Sequence, residues 1–482
     1  MNEADRRSVQ RVKGASARAG TARALALIDG EHYPAVVREA LAHLRERFAL
    51  VGALFLGGEE KLRDVDPARL ADAYGVPVVQ ASDVAENCFQ PGGAGFVLRE
   101  VLAQWSVEVV VDLSDEPVLG YEQRFRLISA ALAGGARYVG ADFEFLPQPL
   151  QRLSSKPALA VIGTGKRVGK TAVSGYIART LSRQYAPDGA VLVVAMGRGG
   201  PARPEVVRGG GGVGVAELLA ASRRGAHAAS DHYEDAALAA VTTIGCRRCG
   251  GGMAGSAFDT NVHEGLALAE ELPGAFVVAE GSGSVIPPVR AQGVVCVASA
   301  AQPTEYMTGY LGTYRMLISN MAVLTMCEEP FCSASRAHDL AAAVRSINPA
   351  LDVVPTVFRP RPQQPIAGER VAYFTTAQPE AAETLVGHLE AECGADVVFT
   401  SCDLARRSAL TAAVRRASRE ADVFLTEIKA AAIDVVAEAA DAAGKRLVLC
   451  DNEPVATDGT DLAARFGELA RQCTAVFREE GQ

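Results

Sequence analysis

Residues 158–181, ALAVIGTGKRVGKTAVSGYIARTL, constrain the fold of this chain more than any other segment. An apolar run is followed by a glycine-rich turn and then by an amphipathic segment whose first turn contains Lys170 and Thr171. Such a turn wraps phosphate with successive backbone N–H groups, in conformations that a Cβ atom would forbid, and the N-terminus of the following helix adds a favourable dipole. The segment therefore predicts a strand, a phosphate-binding loop and a helix.

The predicted loop runs from residue 163 to residue 171, and all of its residues are candidates for binding a nucleoside triphosphate. They are Gly163, Thr164, Gly165, Lys166, Arg167, Val168, Gly169, Lys170 and Thr171. In such loops the lysine reaches the β and γ phosphates and the hydroxyl holds a magnesium ion, so Lys170 and Thr171 take these roles. Only seven lysines occur in the chain, and two are in this loop. Lys166 is therefore a second catalytic candidate against the γ-phosphate, with a solvated loop lysine as the alternative.

The rest of the chain has the pattern of an α/β protein. Short β-rich runs alternate with amphipathic segments from residue 24 onward, as in parallel sheets with crossover helices. Proline-rich breaks at 145–157 and 358–370 predict domain boundaries. We therefore expect a three-domain chain. Its parts are a disordered lead-in at 1–22, an N-terminal Rossmann-like α/β domain at 23–150, a central P-loop NTPase domain with a parallel sheet at 151–362, and a small C-terminal α/β domain at 363–482.

Composition limits the classes of partner. The formal net charge of −9 argues against a protein that coats nucleic acid or a membrane surface. No apolar stretch approaches the roughly 18 residues needed to cross a bilayer, and the N-terminus lacks the apolar core of a secretory signal. We expect a cytoplasmic protein with no nucleic-acid or membrane partner, in which local cations hold any anionic ligand. Ten cysteines dispersed through a long chain predict reduced, mostly buried thiols.

A second motif, AFVVAEGSGSVIPPV at 275–289, ends an apolar strand with an acid. The carboxyl end of a parallel strand beside the phosphate-binding strand suits a group that organises magnesium, so Glu280 joins Thr171 as a predicted metal ligand. The turn that follows comprises Gly281, Ser282 and Gly283. We expect its backbone donors to bind the acceptor substrate, a plain tight turn being the alternative.

Two further segments, MGRGGPARPE at 196–205 and TTIGCRRCGGGMAG at 242–255, combine arginine with glycine. Arginine binds phosphate oxygens bidentately and glycine exposes main-chain amides, so both segments suit a multiply charged phosphate. The predicted catalytic arginines are Arg198, Arg247 and Arg248, and the predicted substrate-binding arginine is Arg203. Cys246 and Cys249 have C-x-x-C spacing, but without a second pair nearby we expect them to be packing residues and not a zinc or redox site.

The motifs together resemble known families. The strict pattern G-x-x-x-x-G-K-[ST] is absent because residue 164 is threonine, and GTGKRVGKT instead resembles the loop of dethiobiotin synthetase and its wider P-loop class. The series IDGEHYP (28–34), GTGKRVGKT, MGRGGP, SDHYEDA (230–236), GCRRCGGG and EGSGSVIPP resembles cyclic 2,3-diphosphoglycerate synthetases over most of the chain. The resemblance implies a cytoplasmic, homodimeric, magnesium-dependent ligase. It would use ATP to close 2,3-diphosphoglycerate into its cyclic anhydride and release ADP and phosphate.

Several polar residues near predicted strands have two alternative roles each. His32 is a predicted substrate contact, with the polar start of a helix as the alternative. Lys429 would hold a substrate phosphate or form a surface salt bridge. Asp231 and Glu234 either belong to the metal site or cap a helix that begins near Ser230, and the pattern leaves both open.

Other functions are also compatible with a phosphate-binding loop. One is a GTPase or ATPase that acts as a switch, a metallochaperone or a nucleotide sensor. Guanine-reading proteins carry N-K-x-D after a strand, whereas Thr325, Met326, Cys327 and Glu328 follow the apolar run here, which favours ATP although Glu328 could still contact a base. The other is a ligase with a different phosphorylated or carboxylate acceptor.

Overall fold

The computed structural model of the protein describes residues 22–62, 69–185, 190–209, 213–225 and 227–481. The predicted lead-in at 1–22 lies, apart from Ala22, outside the described residues. The described chain forms two compact units. The first extends to Pro147 and includes Gly309–Leu317 and Ser346–Asn348, and the second comprises Gln148–Thr308, Ile318–Arg345 and Pro349 to the C-terminus.

Strands and helices alternate along the described chain. The strands are β1 (Arg23–Ile28), β2 (Ala49–Phe55), β3 (Val78–Gln80), β4 (Val109–Asp112), β5 (Arg137–Val139), β6 (Glu144–Phe145), β7 (Ala158–Gly163), β8 (Val191–Gly197), β9 (Glu205–Val207), β10 (Thr242–Cys249), β11 (Asp259–Thr260), β12 (Phe276–Glu280), β13 (Gly293–Ser299), β14 (Met321–Thr325), β15 (Asp352–Pro362), β16 (Arg370–Phe374), β17 (Asp396–Ser401), β18 (Val423–Glu427) and β19 (Arg446–Ala456). The helices are α1 (Pro34–Arg47), α2 (Leu70–Tyr74), α3 (Ala94–Trp105), α4 (Tyr121–Ala133), α5 (Lys170–Gln184), α6 (Val215–Arg223), α7 (Asp231–Leu238), α8 (Val262–Glu271), α9 (Glu305–Thr308), α10 (Gly312–Leu317), α11 (Ala334–Ile347), α12 (Ala382–Cys393), α13 (Arg407–Glu420), α14 (Glu438–Ala442) and α15 (Leu462–Glu480). A 3-10 turn at Pro379–Ala381 precedes α12, and a π-helical turn at Ala432–Ala437 precedes α14.

The first unit is a six-stranded sheet with helices packed on it. Its strand order is β3-β2-β1-β4-β5-β6, and all neighbours are parallel except β5 and β6. In α1, Pro34 occupies the first turn, where its missing N–H has no intrahelical partner to lose, and Val37, Leu41 and Leu44 are buried. The α/β class expected from the sequence is confirmed in this unit.

The second unit contains a 13-stranded sheet with the order β11-β10-β8-β12-β7-β13-β14-β15-β19-β18-β16-β17, in which β9 also pairs with β10. The six strands around β7, from β8 to β15, are parallel to one another. In the following helix α5, Val173, Ile177 and Leu181 recur every fourth residue and are fully buried. They share a core with Phe466 of α15. The predicted central P-loop sheet is confirmed.

The sheet does not stop at the predicted boundary between the central and C-terminal domains. The long strands β15 and β19 pair antiparallel across it, from Thr356 to Pro362 on β15. Proline is tolerated in such a strand where its nitrogen faces no partner. The N–H of Gln363 donates to β19 (2.9 Å), so the nitrogens of Pro360 and Pro362 point to the opposite side, beyond the end of the β14 pairing. The three-domain division itself stays a prediction.

No helix within the described ranges is long and apolar enough to cross a membrane.

Candidate active site

The predicted phosphate-binding loop joins β7 to α5, as its sequence requires. All six residues of β7 are buried up to Gly163, and α5 begins at Lys170. Gly169 has a φ of +91°, which favours glycine, and a Cβ atom at this position would lie 2.3 Å from Cζ of Phe358. A residue with a side chain would therefore be strained here, and the ring of Phe358 would have to move.

Neighbouring strands hold the loop in place. The backbone N–H of Thr164 donates to the carbonyl of Val297 at the end of β13 (3.1 Å), and its hydroxyl donates to Gln302 (2.8 Å). The buried hydroxyl of Thr325, the last residue of β14, donates to the carbonyl of Val168 (2.9 Å). Thr325 therefore supports the loop from the position where guanine-reading proteins carry their base motif.

Lys170 is the buried cation of the loop. Its Nζ donates to the carbonyl of Gly165 (2.7 Å), and burial lowers the pKa of the amine to about 8, against the opposing effect of Glu280. A buried ammonium group with few anionic contacts is stabilised by any anion that enters the loop. Lys166 and Arg167, the neighbouring predicted contacts, are exposed.

Glu280 ends β12, which runs beside β7 in parallel register with Val161. The carboxylate is almost fully buried, it accepts a hydrogen bond from the hydroxyl of Thr171, and its Oε2 atom has no hydrogen-bond partner. Burial raises the pKa of Glu280 to about 7, and the charge of Asp231 adds to the shift. The two predicted metal ligands, Thr171 and Glu280, are therefore in contact.

This arrangement fits a magnesium ion. An unpartnered buried carboxylate oxygen beside a hydroxyl is a hard-oxygen donor set. No three His, Cys, Asp or Glu side chains of the described residues converge as a preformed metal site. Magnesium is commonly held by one or two carboxylates together with substrate phosphates, which Thr171 and Glu280 could do beside a bound triphosphate.

Helix α7 contributes carboxylates, of which Asp231 and Glu234 were left open as metal-site or capping residues and Asp235 was not predicted. Its N-cap residue, Ser230, makes no side-chain capping bond, and Asp231, Glu234 and Asp235 follow. Glu234 and Asp235 are buried, and burial raises the pKa of Glu234 to about 8 and that of Asp235 well above its usual range. Oδ2 of Asp235 has no hydrogen-bond partner. The i, i+3, i+4 spacing of these acids on one helical face was a signal for the cluster.

Lys429 reaches this carboxylate cluster from the C-terminal part of the chain. It is partly buried and forms an ion pair with Glu234, and the acids around it raise the pKa of its amine. Of the two expectations for Lys429, a substrate contact and a surface salt bridge, neither describes this pair, because its partner is a buried acid. The substrate role stays a prediction.

Arg198 and Arg248 meet at the turn that follows Glu280. Arg248 donates to the carbonyls of Ser282 (2.8 Å) and Gly250 (3.0 Å). Gly283 has a φ of +62°, and a Cβ atom on it would lie 2.8 Å from Nη2 of Arg198 and 3.1 Å from Nη2 of Arg248. Neither guanidinium forms an ion pair within the described part of the chain. Burial and the charge of Arg198 lower the pKa of Arg248.

The turn lies against the phosphate-binding strand. The N–H of Gly281 donates to the carbonyl of Val161 in β7 (2.9 Å), two residues before the loop begins. The turn that the arginine pair contacts and the loop therefore follow the carboxyl ends of two adjacent strands, β12 and β7, where ligands of open α/β sheets bind.

Three predicted site residues are not brought to this turn. Arg247 precedes Arg248 in β10, and since successive strand residues face opposite sides, its exposed side chain points away from Arg248. Arg203 is exposed in the loop before β9. His32 belongs to the first unit, where its Nδ1 lies 2.9 Å from Oδ1 of the fully buried Asp29. Their functional roles stay predictions.

Two alternatives raised by the sequence have structural counterparts. Both terminal guanidinium nitrogens of Arg359 donate to the carboxylate of Glu328, at 2.7 and 2.6 Å, so this acid already has a cation as partner. Cys246 is buried against Gly265 on α8, Cys249 is exposed, and both thiols are free.

Three family models match the chain. The model "Cyclic 2,3-diphosphoglycerate synthetase, N-terminal domain" matches residues 23–146, the P-loop domain model of the same family matches 158–357, and its C-terminal domain model matches 362–453. The resemblance inferred from the six motifs is confirmed.

Curated relatives carry the same name. A cyclic 2,3-diphosphoglycerate synthetase from Rubrobacter xylanophilus is 51% identical over 95% of this chain and 98% of its own length. One from Methanothermus fervidus is 41% identical over 91% of this chain and 94% of its own length. A solved structure, hydrogenase maturation factor HypB from Archaeoglobus fulgidus, covers 42% of this chain and 82% of its own length, at 12% identity and a TM-score of 0.27, which is too low to bear on the fold.

Proposed function

Because this chain belongs to the cyclic 2,3-diphosphoglycerate synthetase family, we propose that it closes 2,3-diphosphoglycerate into cyclic 2,3-diphosphoglycerate. The reaction consumes ATP and releases ADP and phosphate. The enzyme is thus an ATP-dependent cyclising ligase.

The observation that carries the proposal is the pair of guanidinium groups beside Gly283. Two like charges held together without a carboxylate partner are stabilised by a ligand with several negative charges. The neighbouring phosphates of 2,3-diphosphoglycerate have this character. Arg198 and Arg248 then bind the acceptor phosphates, assisted by the backbone of residues 281–283, and the loop at 163–171 binds the triphosphate.

Two transfers account for the products. An oxygen of one acceptor phosphate attacks the γ-phosphorus, and the bond from that phosphorus to the β-phosphate oxygen breaks, releasing ADP. An oxygen of the second acceptor phosphate then attacks the phosphorus of the activated phosphate, a P–O–P bridge closes the ring, and orthophosphate leaves. Both steps gather negative charge, so Lys170 and the arginines contribute more by orienting and stabilising oxygen atoms than any general base does.

Thr171 and Glu280 would hold the magnesium ion that the family resemblance implies, and the electrostatic effect of Asp231 on Glu280 supports Asp231 as a further ligand. When bound, the ion supplies charge neutralisation at the phosphate oxygens. Glu280 then needs its carboxylate ionised, which the hydroxyl of Thr171 favours by hydrogen bonding.

The remaining roles are part of the same proposal. Lys166 adds charge near the γ-phosphate, and Arg203 and Lys429 contact the acceptor, whereas Arg247 and His32 are given no role beside the arginine pair. A homodimer and a cytoplasmic location are further expectations from the resemblance. The Glu328–Arg359 ion pair favours ATP over GTP, because it engages the acid that could otherwise contact a guanine base.

Phosphorus NMR of the protein with ATP, magnesium and 2,3-diphosphoglycerate tests the proposal. We expect the two phosphomonoester signals to be replaced by coupled cyclic anhydride signals, with one ADP and one orthophosphate formed per ring. ATP hydrolysis without the cyclic product would contradict the proposal and point to another acceptor.

A further inference from the structure

Asn261 immediately precedes helix α8 and is nearly buried. Asparagine at this position ordinarily accepts a hydrogen bond from the first turn of its helix. Here the side chain makes no capping bond. The hydroxyl of Thr260 instead accepts from the N–H of Val262 (3.2 Å), so the side chain of Asn261 is used for something other than the helix.

The side chain of Asn261 joins two segments that carry the arginine pair. Its Oδ1 accepts from the backbone N–H of Arg247 in β10 (2.7 Å), and its Nδ2 donates to the carbonyls of Pro201 (3.2 Å) and Ala202 (3.3 Å). Only an oxygen can accept from a backbone N–H and only the amide nitrogen can donate to carbonyls, so this network fixes the orientation of the amide. The side chain makes three hydrogen bonds in this connection, one as acceptor and two as donor.

The two segments are also in direct contact. A Cβ atom on Gly200 would lie 2.0 Å from the carbonyl oxygen of Cys246, so the loop after β8 rests on the backbone of β10. Arg198 lies at the start of this loop, and Arg248 follows the strand residue that Asn261 holds. The separation between the two guanidinium groups therefore depends on how firmly the loop is held to the strand.

Holding two guanidinium groups near one turn is unfavourable without an anion, because the like charges repel. Fixed hydrogen bonds in the scaffold can offset this repulsion and leave the charges oriented for a ligand. We propose that Asn261 is a positioning residue that holds Arg198 and Arg248 at the spacing required by an acceptor with two phosphate groups. This inference rests on the proposed function, since it concerns the same acceptor.

Isothermal titration of the full-length protein tests the role without depending on turnover. The probes are 2,3-diphosphoglycerate and ADP, each added to the wild type, to Asn261→Ser and to Thr260→Val. Thr260→Val is a matched control, because its hydroxyl binds the same strand residue, Arg247 (2.8 Å), but does not touch the loop at 201–202. We expect Asn261→Ser to weaken 2,3-diphosphoglycerate binding by at least tenfold while ADP affinity stays within twofold, and Thr260→Val to retain both affinities.

A second variant disturbs the same connection by a different route, and an ADP affinity within twofold of the wild type reports that it is folded. Gly200→Ala separates the same loop from β10 without altering Asn261, so it should show the same selective loss of acceptor affinity. Equal 2,3-diphosphoglycerate affinity in wild type, Asn261→Ser and Gly200→Ala would overturn this inference and leave the proposed function standing. A wild-type protein that binds ADP but no 2,3-diphosphoglycerate would overturn the proposed function itself.

Discussion

Two glutamates in the second unit have the same position in sequence and fold but different surroundings. Glu280 ends the strand FVVAE and Glu427 ends the strand VFLTE. Each strand has five buried residues and two parallel neighbours in the sheet, and both side chains are almost completely inaccessible. Neither burial nor the position at a strand end distinguishes the two acids.

Their hydrogen-bond partners do distinguish them. The carboxylate of Glu427 accepts from the hydroxyls of Thr375 and Thr376, the backbone N–H of Thr376 and the amide of Asn452. Glu280 accepts from Thr171 and keeps one oxygen without a partner. A buried acid with all of its acceptor sites filled stabilises the fold, whereas one with an unfilled site is available to a ligand. The comparison thus assigns structure to Glu427 and function to Glu280.

The largest effect on turnover is expected from Lys170, the buried cation that interacts with Glu280. Lys170→Ala should lower turnover about a thousandfold, because it removes charge that is most useful as negative charge develops on the phosphates. Its melting temperature should stay near that of the wild type, since burial already disfavours the Lys170 ammonium group and lowers its pKa to about 8. Steady-state ADP release and a thermal melt measure both. Lys445→Ala, directly before β19, is the control and should keep full turnover. A Lys170→Ala enzyme with more than a tenth of wild-type activity would show that the loop does not act in the reaction as proposed.

Replacing each glutamate by glutamine tests the comparison directly. Glu280→Gln should reduce turnover about a hundredfold and leave stability unchanged or higher, because it removes a poorly compensated buried charge. Glu427→Gln should keep turnover within about threefold and lower the free energy of unfolding by about 3 kcal/mol, because the amide nitrogen cannot accept from the donors around it. Urea unfolding and the same activity assay check the pair. If the two variants exchanged these outcomes, the distinction based on unfilled acceptor sites would be wrong.

The raised pKa of Glu280 also predicts how stability depends on pH, measured by unfolding in EDTA without nucleotide. The carboxyl of Glu280 ionises near 4.5 when unfolded and near 7 when folded, so between these values the unfolded state holds fewer protons and stability falls as pH rises. Relative to Glu280→Gln, the wild type should therefore lose about 2 kcal/mol of unfolding free energy between pH 5.5 and pH 8. Lys445→Ala retains every buried carboxyl, so the pH dependence of its unfolding free energy should match that of the wild type. A constant gap between wild type and Glu280→Gln across this range would mean that the pKa of Glu280 is not raised.

The features predicted correctly from the sequence are those that depend on short stretches of the chain. The strand, turn and helix around Lys170, and Glu280 at the end of the adjacent strand, follow from local chemistry and from the rule that ligands bind at carboxyl ends. Strand alternation could also have separated Arg248 from Arg247. Partners distant in sequence could not be found this way.

The pairing of Lys429 with Glu234 joins residues almost 200 positions apart and depends on how the C-terminal part packs on α7. The continuity of the sheet through Pro360 was missed for a similar reason, because a proline ends a strand only if its nitrogen faces a partner. Asn261 was missed because an asparagine before a helix reads as an ordinary cap. In each case the tertiary neighbour, and not the residue type, determines the role.

The smallest effect is expected at Glu328, the acid after β14, which tests the same distinction between filled and unfilled acceptor sites. Both of its oxygens bind Arg359, so it belongs with Glu427 as a satisfied acid and not with Glu280. Glu328→Ala should lower the unfolding free energy by about 1 kcal/mol, since the pair is bidentate but partly exposed. The ratio of kcat/KM for ATP to that for GTP should be unchanged, because a carboxylate held by a guanidinium has little capacity left to accept from a base. Arg359→Ala is the matched control: it frees Glu328, and if this acid can read guanine once unpaired, that variant alone should move the ratio toward GTP. If the ratio of kcat/KM for ATP to that for GTP changed in the Glu328→Ala protein instead, the acid would contact the base in the intact enzyme. Glu328 would then have a functional role like that of Glu280.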